Sequence, residues 1–324
     1  MRRSWKVLLV TAGVTVLLLV LAALSFYERP LWFADQQMHL KLWRAGVHSD
    51  YVLVEGERIH YLEATAAPGS AGTPLVLIHG LGARSEDWAP LIPGLAAAGF
   101  HVYAPDLLGY GRSAHPDANY SISMQESMIA AFMRAMHIER ADVAGWSMGG
   151  WVAMKLSLDY GSMVERLVVF DAAGVYFSGY SSLEEVFDAR DAAGVNRLFA
   201  ILTPHPRALP DFVARDIARR IQANVWVIKR SMAAMRSGRD LLDFRLYAIQ
   251  QPTLVVWGLQ DELIPISAGE TMHKSIAGSS MVAENGCGHL APSECSQATL
   301  RATVAFLQSD PPLRGVETVV DGRQ

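Results

Sequence analysis

Residues 141–150, Ala-Asp-Val-Ala-Gly-Trp-Ser-Met-Gly-Gly, constrain the fold more than any other stretch of the chain. Small and apolar residues suited to a buried strand run into Gly145-Trp146-Ser147-Met148-Gly149, and a helical pattern follows from Trp151. Glycines on both sides of a serine permit a sharp strand-to-helix turn that lifts the hydroxyl out of a sheet. The same turn aims the Met148 N–H, at the positive end of the helix, toward whatever the serine attacks. A Gly-x-Ser-x-Gly pentapeptide arises by chance in roughly one chain of this length in ten. Its meaning therefore depends on what the rest of the chain supplies.

The surrounding pattern is an alternation of short apolar strands with helices. Residues 51–54 and 58–62 read as a hairpin around Glu55-Gly56-Glu57, and 75–78 as a buried strand ending at His79-Gly80-Leu81-Gly82. Helix 90–98, strand 101–104, helix 123–136, the 141–150 unit and strand 166–171 continue it. Between 172 and 247 only helices are predicted, over 183–193, 197–202, 211–223 and 225–236. Strands 253–257 and 280–283 and helix 297–307 then resume the alternation. The expected fold is α/β: a mostly parallel eight-stranded sheet flanked by helices, with an inserted helical cap over the carboxyl edge.

Before this body, residues 7–26 carry no charge, and Arg2, Arg3 and Lys6 precede them. At ~1.5 Å per residue they make ~30 Å of helix, the thickness of a bilayer's hydrocarbon. The favoured reading is an uncleaved single-pass anchor with its amino terminus cytoplasmic and the body periplasmic or extracytoplasmic. A cleaved signal peptide is the competing one, for which the apolar stretch is long. The arm that follows mixes Tyr27, Trp32, Phe33, Leu40 and Trp43 with Lys41 and Arg44. It suits a membrane interface, or equally a helix packed on the domain's own surface. The expected organisation is anchor 1–27, juxtamembrane arm 28–50, core 51–171, cap 172–247, core 248–309 and a polar tail 310–324 without evident role.

Half the residues are hydrophobic, enough for a sizeable core, and the net charge of −4 is spread without a basic stripe. Nucleic acid is therefore excluded as a partner. No Walker-type loop or Cys/His metal spacing occurs, so neither cofactor nor metal is expected. Cys287 and Cys295 sit close enough to pair in an oxidising compartment, or to be two small buried thiols.

A serine nucleophile needs a base to take its proton and an acid to hold the base's tautomer. Of the ten histidines, His289 is best placed, in Asn285-Gly286-Cys287-Gly288-His289-Leu290 between the last strand and the last helix. Glu294 follows and either fixes that loop or is an exposed first-turn charge. The acid is expected just past the preceding strand, at Asp261, with Glu262 and Asp171 as alternatives. Ser, then Asp, then His is the chain order of one triad fold and differs from the others. A tetrahedral intermediate needs two donors, the Met148 N–H and the Leu81 N–H of the loop after the third strand. His79 is read as structural.

Across residues 51–307 the chain resembles a capped α/β-hydrolase, through His-Gly-Leu-Gly, Pro-Asp-Leu-Leu-Gly-Tyr-Gly-Arg-Ser, Gly-Trp-Ser-Met-Gly-Gly, the Asp261 loop and Gly-His-Leu-Ala-Pro. With its amino-terminal span it is similar to membrane-anchored monoacylglycerol lipases and bacterial esterases. The resemblance implies Ser147, Asp261 and His289 as the catalytic triad and Leu81 and Met148 as the oxyanion hole. A serine at the elbow excludes the carboxylate nucleophile of the dehalogenases and epoxide hydrolases. Trp146, in a position often held by a smaller or polar residue, is expected to narrow the acyl side of the pocket. The cap's apolar residues recur at helical spacing: Leu183, Phe187, Leu198, Phe199, Phe212, Ile221, Trp226, Met232 and Met235. They form plain core or a greasy wall, for which Trp146, Phe187, Phe199, Trp226 and Met232 are the candidates. The leading expectation is a membrane-tethered serine esterase acting on acylglycerol or other lipid-like esters. Alternatives are a C–C bond hydrolase or perhydrolase with the same triad, and a non-catalytic surface binding protein on this scaffold.

Overall fold

Successive residues of the central strands bury toward opposite faces, which divides the core in two. Leu75, Leu77, Ala144, Val168, Phe170, Leu254 and Val256 share one cluster, while Val76, Ile78, Val143, Val169, Val255 and Trp257 share the other. That period of two makes both faces apolar, so helices must cover both. The computed structural model describes residues 2–178 and 186–323. Its strands are β1 (Val47–Val54), β2 (Glu57–Ala64), β3 (Thr73–Ile78), β4 (Phe100–Pro105), β5 (Ala141–Trp146), β6 (Val164–Phe170), β7 (Thr253–Gly258), β8 (Ser280–Asn285) and β9 (Glu317–Asp321). They form one nine-stranded sheet in the order β1-β2-β4-β3-β5-β6-β7-β8-β9. The β1–β2 and β2–β4 pairs are antiparallel and the rest parallel.

The longer helices among the described residues are α1 (Arg2–Glu28), α2 (Pro30–Arg44), α3 (Ile92–Ala97), α4 (Ile122–Ala135), α5 (Met148–Asp159), α6 (Ala192–Leu202), α7 (Asp211–Ala223), α8 (Val225–Arg236), α9 (Ile266–Ser275) and α10 (Ser296–Leu307), and a single turn, Ala291–Glu294, precedes the last. Helices α4, α5 and α9 cover one face of the sheet, α3 and α10 the other. Helices α6 to α8 lie between β6 and β7 in the chain. Asp191 caps α6 by accepting the Gly194 N–H at 2.7 Å, and Ala189, Val195, Leu198, Ala214 and Ala218 make a small core of their own. Val227, Ile228, Met232 and Met235 of α8 join the main core instead, which seats the cap on the body. Each such side chain stabilises by roughly 1.5–3 kcal/mol when fully buried.

Two expectations need correcting. The sheet has nine strands, not eight, because the tail forms β9 beside β8, in register from Met281↔Glu317 to Asn285↔Asp321. Only Val319 and Val320 mark it in the sequence, between charged residues that read as tail, and β propensity is decided by the neighbour a strand packs on. The helix expected over 183–193 falls partly outside the described residues, and its described part is helical only at Val186 and Phe187. Asp188–Arg190 is irregular because Asp191 starts a new helix as its N-cap.

The arm is helix α2, with Pro30 in its first turn and Leu42 buried. It packs on the domain: Leu31 N–H donates to Asp216 at 3.0 Å, and Asp35 pairs with Arg84 at 2.6 Å and Arg220 at 2.8 Å. Tyr27 stacks on Phe212 of α7 with ring centroids 5.2 Å apart. Trp32, Leu40 and Trp43 remain exposed. Residues Val7–Glu28 of α1 contain an 18-residue window of mean hydropathy 2.8 and are exposed throughout, long and apolar enough to cross a membrane.

Candidate active site

Ser147 stands between the end of β5 and the start of α5 with φ 57° and ψ −121°. A non-glycine residue in that region costs roughly 1–3 kcal/mol, and the surroundings hold it there. Its N–H donates to Phe170 O at 2.9 Å, while its carbonyl accepts from Gly150 at 3.0 Å and Ala173 at 3.1 Å. A Cβ on Gly145 would overlap the Gly149 carbonyl, and one on Gly149 would overlap the Ile78 carbonyl. Both glycines are therefore required by close backbone approach. Gly80 brings the loop after β3 against the serine: its Cβ position lies 3.1 Å from Ser147 Cβ.

Three distant loops meet at the hydroxyl. Ser147 Oγ is 2.9 Å from His289 Nε2, and His289 Nδ1 is 2.7 Å from Asp261 Oδ2. The second oxygen of Asp261 accepts the N–H groups of Leu263 at 2.8 Å and Ile264 at 2.9 Å, which fixes the carboxylate's orientation. With Asp261 on Nδ1, the proton of a neutral imidazole sits there and Nε2 is left to accept from the serine. All three residues are buried. The alternative acids lie elsewhere. Glu262 is exposed, and Asp171 turns to the end of β7, accepting the Gly258 N–H at 2.7 Å. Burial, and then the nearby Asp261 charge, raise the Asp171 carboxyl well above the ordinary carboxylate range.

The cleft above Ser147 is lined by Leu81, Met148, Ala173, Phe187, Met232, Met235, Arg236, Leu263 and Ile264. Met148 N–H lies in the first turn of α5, where a helix has no acceptor of its own to offer. Leu81 stands in the same lining, on the loop that Gly80 presses against the serine. Of the expected wall residues, Phe187 and Met232 line the cleft, and three stand outside it. Trp146 donates from Nε1 to the His289 carbonyl at 2.8 Å. Phe199 belongs to the cap's own core, and Trp226 packs edge-on against Tyr120 with Arg230 over its ring. Phe199 and Trp226 sit at helical spacing too, so periodicity alone does not tell core from cleft. Leu263, Ile264, Ala173 and Arg236 line the cleft without having been expected there; position just past Asp261 is the signal that marks the first two, and nothing marks the others.

His79 accepts the Leu107 N–H at Nε2, 2.9 Å away, and donates from Nδ1 to Gly80 O at 2.8 Å. Both nitrogens are spent on loop backbone, and burial lowers its pKa, so it stays neutral. Cys287 and Cys295 form a disulfide. A second hydrogen-bonded line, unforeseen in the sequence, joins Ser49 Oγ to His60 Nε2 at 3.0 Å and His60 Nδ1 to Asp106 Oδ2 at 2.7 Å. Burial opposes the Asp106 charge, but the His60 hydrogen bond and the Arg112 N–H hold its pKa down at about 2.

Sheet, elbow serine and inserted helices together define the class: a hydrolase built on a doubly wound α/β sheet. Residues 73–294 match the model of the alpha/beta hydrolase fold family, and the chain belongs to that family. It is similar to 2-hydroxymuconate semialdehyde hydrolase of Pseudomonas sp. (strain CF600), 32% identical over 68% of this chain and 81% of that protein. It is also similar to Lipase 3 of Moraxella sp. (strain TA144), 26% identical over 78% of this chain and 82% of that one. Among solved structures, a membrane phospholipase A described as a bacterial virulence factor superposes with a TM-score of 0.80. It is 28% identical and covers 92% of this chain and 97% of its own.

Proposed function

We propose that the protein is a membrane-tethered serine esterase, cleaving acylglycerol or other lipid-like esters through an acyl-enzyme on Ser147. The observation that carries this is the unbroken line Ser147 Oγ–His289–Asp261 at 2.9 and 2.7 Å beneath a mostly apolar cleft. Ser147 Oγ attacks the ester carbonyl as His289 Nε2 takes its proton, and Asp261 stabilises the imidazolium. The N–H groups of Leu81 and Met148 receive the oxyanion. Collapse expels the alcohol with the proton from His289, and water then releases the acid by the same steps reversed. Phe187, Met232, Met235, Leu263 and Ile264 offer the acyl chain an apolar wall. In this reading α1 is an uncleaved anchor and the body faces the periplasm or exterior, where a disulfide persists. Likeness to a membrane phospholipase A supports a lipid substrate.

Carbon–carbon bond hydrolysis with the same three residues is the second reading. The 2-hydroxymuconate semialdehyde hydrolase likeness favours it, and Arg236 in the lining suits a substrate carboxylate. Hydrolysis rates across p-nitrophenyl esters of increasing chain length separate the two. The esterase reading expects an optimum above acetate; turnover of a dienoic diketone with negligible ester cleavage at every length would contradict it.

A further inference from the structure

The loop that carries His289 is held from outside the triad, and the holding group is Glu294. Its Oε1 accepts the Gly288 N–H at 2.6 Å, one residue before the imidazole. Its Oε2 accepts from Thr203 Oγ1, also at 2.6 Å, and Thr203 is the C-cap residue of α6. One carboxylate thus joins the base's loop to the cap. The two bodies are in direct contact there: a Cβ on Gly288 would lie 2.7 Å from Pro204 Cδ and 2.9 Å from Leu202 O. The same Cβ-less backbone faces the sheet, since a Cβ on Gly258 would overlap the Gly288 carbonyl. Gly288 is therefore enclosed between β7 and the cap, with Glu294 fixing its remaining freedom. The Cys287–Cys295 disulfide closes the loop around it, and both cysteines are buried. The tail covers that bridge, because a Cβ on Gly322, just past β9, would overlap Cys287 Sγ.

We infer that Glu294 is a positioning residue for His289, holding the imidazole at the serine through Gly288 while the cap's Thr203 steadies its other oxygen. The inference rests on the proposed role of Ser147 and His289. A bidentate acceptor spanning two bodies transmits a shift of one to the other, and a displacement of about 1 Å at a reacting group costs about 100-fold. Nothing about Glu294 touches substrate, so ground-state binding of a short ester is left alone.

The test uses the full chain in detergent and a fluorophosphonate probe, with labelling rate normalised to folded protein by circular dichroism. Glu294→Ala is expected to label about 10- to 100-fold more slowly, with kcat for a short p-nitrophenyl ester falling in parallel and KM within about twofold. Glu294→Gln keeps an acceptor for Gly288 and a partner for the Thr203 hydroxyl, so it is expected to restore most of the rate. Thr203→Val, which leaves the loop's own bond intact, is expected to slow labelling by a smaller factor and decides the matter if Glu294→Ala fails to fold. Wild-type labelling rates in both Glu294→Ala and Thr203→Val would overturn the inference, as would a Glu294→Gln variant as slow as Ala. Failure of wild type to label at Ser147 at all would instead sink the proposed nucleophile.

Discussion

Among the described residues, two serine–histidine–aspartate lines have nearly identical hydrogen-bond lengths. In one, Ser147, His289 and Asp261 are separated by 2.9 and 2.7 Å; in the other, Ser49, His60 and Asp106 by 3.0 and 2.7 Å. Everything around the serines differs. Ser147 sits on strained backbone between a strand and a helix, in a cleft, beside the N–H of a helix start. Ser49 lies exposed on β1 at the margin of the sheet, with Arg112 Nη1 3.3 Å from its hydroxyl. The acids differ as well. Asp261 spends its second oxygen on the two residues that wall the cleft, Leu263 and Ile264. Asp106 spends its oxygens on Ser85 N–H at 2.6 Å and Arg112 N–H at 2.8 Å, and so ties three loops together. Aligned donors and acceptors are common to both lines; the Ser147 line also opens on a cleft at the start of a helix.

The contrast breaks most readily at the acids. Asp261→Asn is expected to lower kcat about 10⁴-fold while leaving the melting temperature nearly unchanged, because the wrong imidazole tautomer then faces Ser147. Asp106→Asn is expected to do the reverse, costing about 2–3 kcal/mol of stability with activity per folded molecule retained. The sign of its pH dependence follows from the depressed value. Asp106 binds fewer protons folded than unfolded, so its contribution is complete above the ordinary carboxylate range and disappears as pH falls from about 4 to about 2. Melting curves of wild type and Asp106→Asn should therefore converge in acid.

A pH effect of opposite sign separates Glu284, beneath the His289 loop, from Asp106. Burial, with a further push from Glu294, raises it to about 8 against the Thr299 hydrogen bond and the Arg301 charge. Folded protein then binds the proton more tightly than unfolded, so stability falls as pH rises from about 5 to about 8. Glu284→Gln removes that slope and is expected to melt progressively higher than wild type across the window; parallel melting profiles would contradict it. Smallest of all, Ser49→Ala is expected to leave ester turnover within about twofold of wild type, since surface substitutions are near neutral.

Much of this was readable from residues alone, for identifiable reasons. Helices Asp211–Ala223 and Val225–Arg236 begin and end where their apolar spacing does. Asp261 and His289 were legible because a parallel sheet presents the loops after its strands at one edge, so proximity in space follows from position after a strand. The Ser49 line was not: the hairpin is read only from residue 51 whereas β1 starts at Val47, and Asp106 joins His60 from 46 residues further along the chain. Nor was Trp146 legible as a hydrogen-bond donor to the His289 backbone, because its partner lies 143 residues further along the chain. The strand at Glu317–Asp321 and the grip of Glu294 on Thr203 are tertiary in the same sense. Each is decided by a partner far away in the chain.

The most direct measurement is peptide mapping by mass spectrometry after fluorophosphonate labelling of the full chain, wild type beside Ser147→Ala. The account expects a single modified peptide containing Ser147 in wild type, and none in the variant. Modification at Ser49, or any labelling that persists in Ser147→Ala, would contradict it.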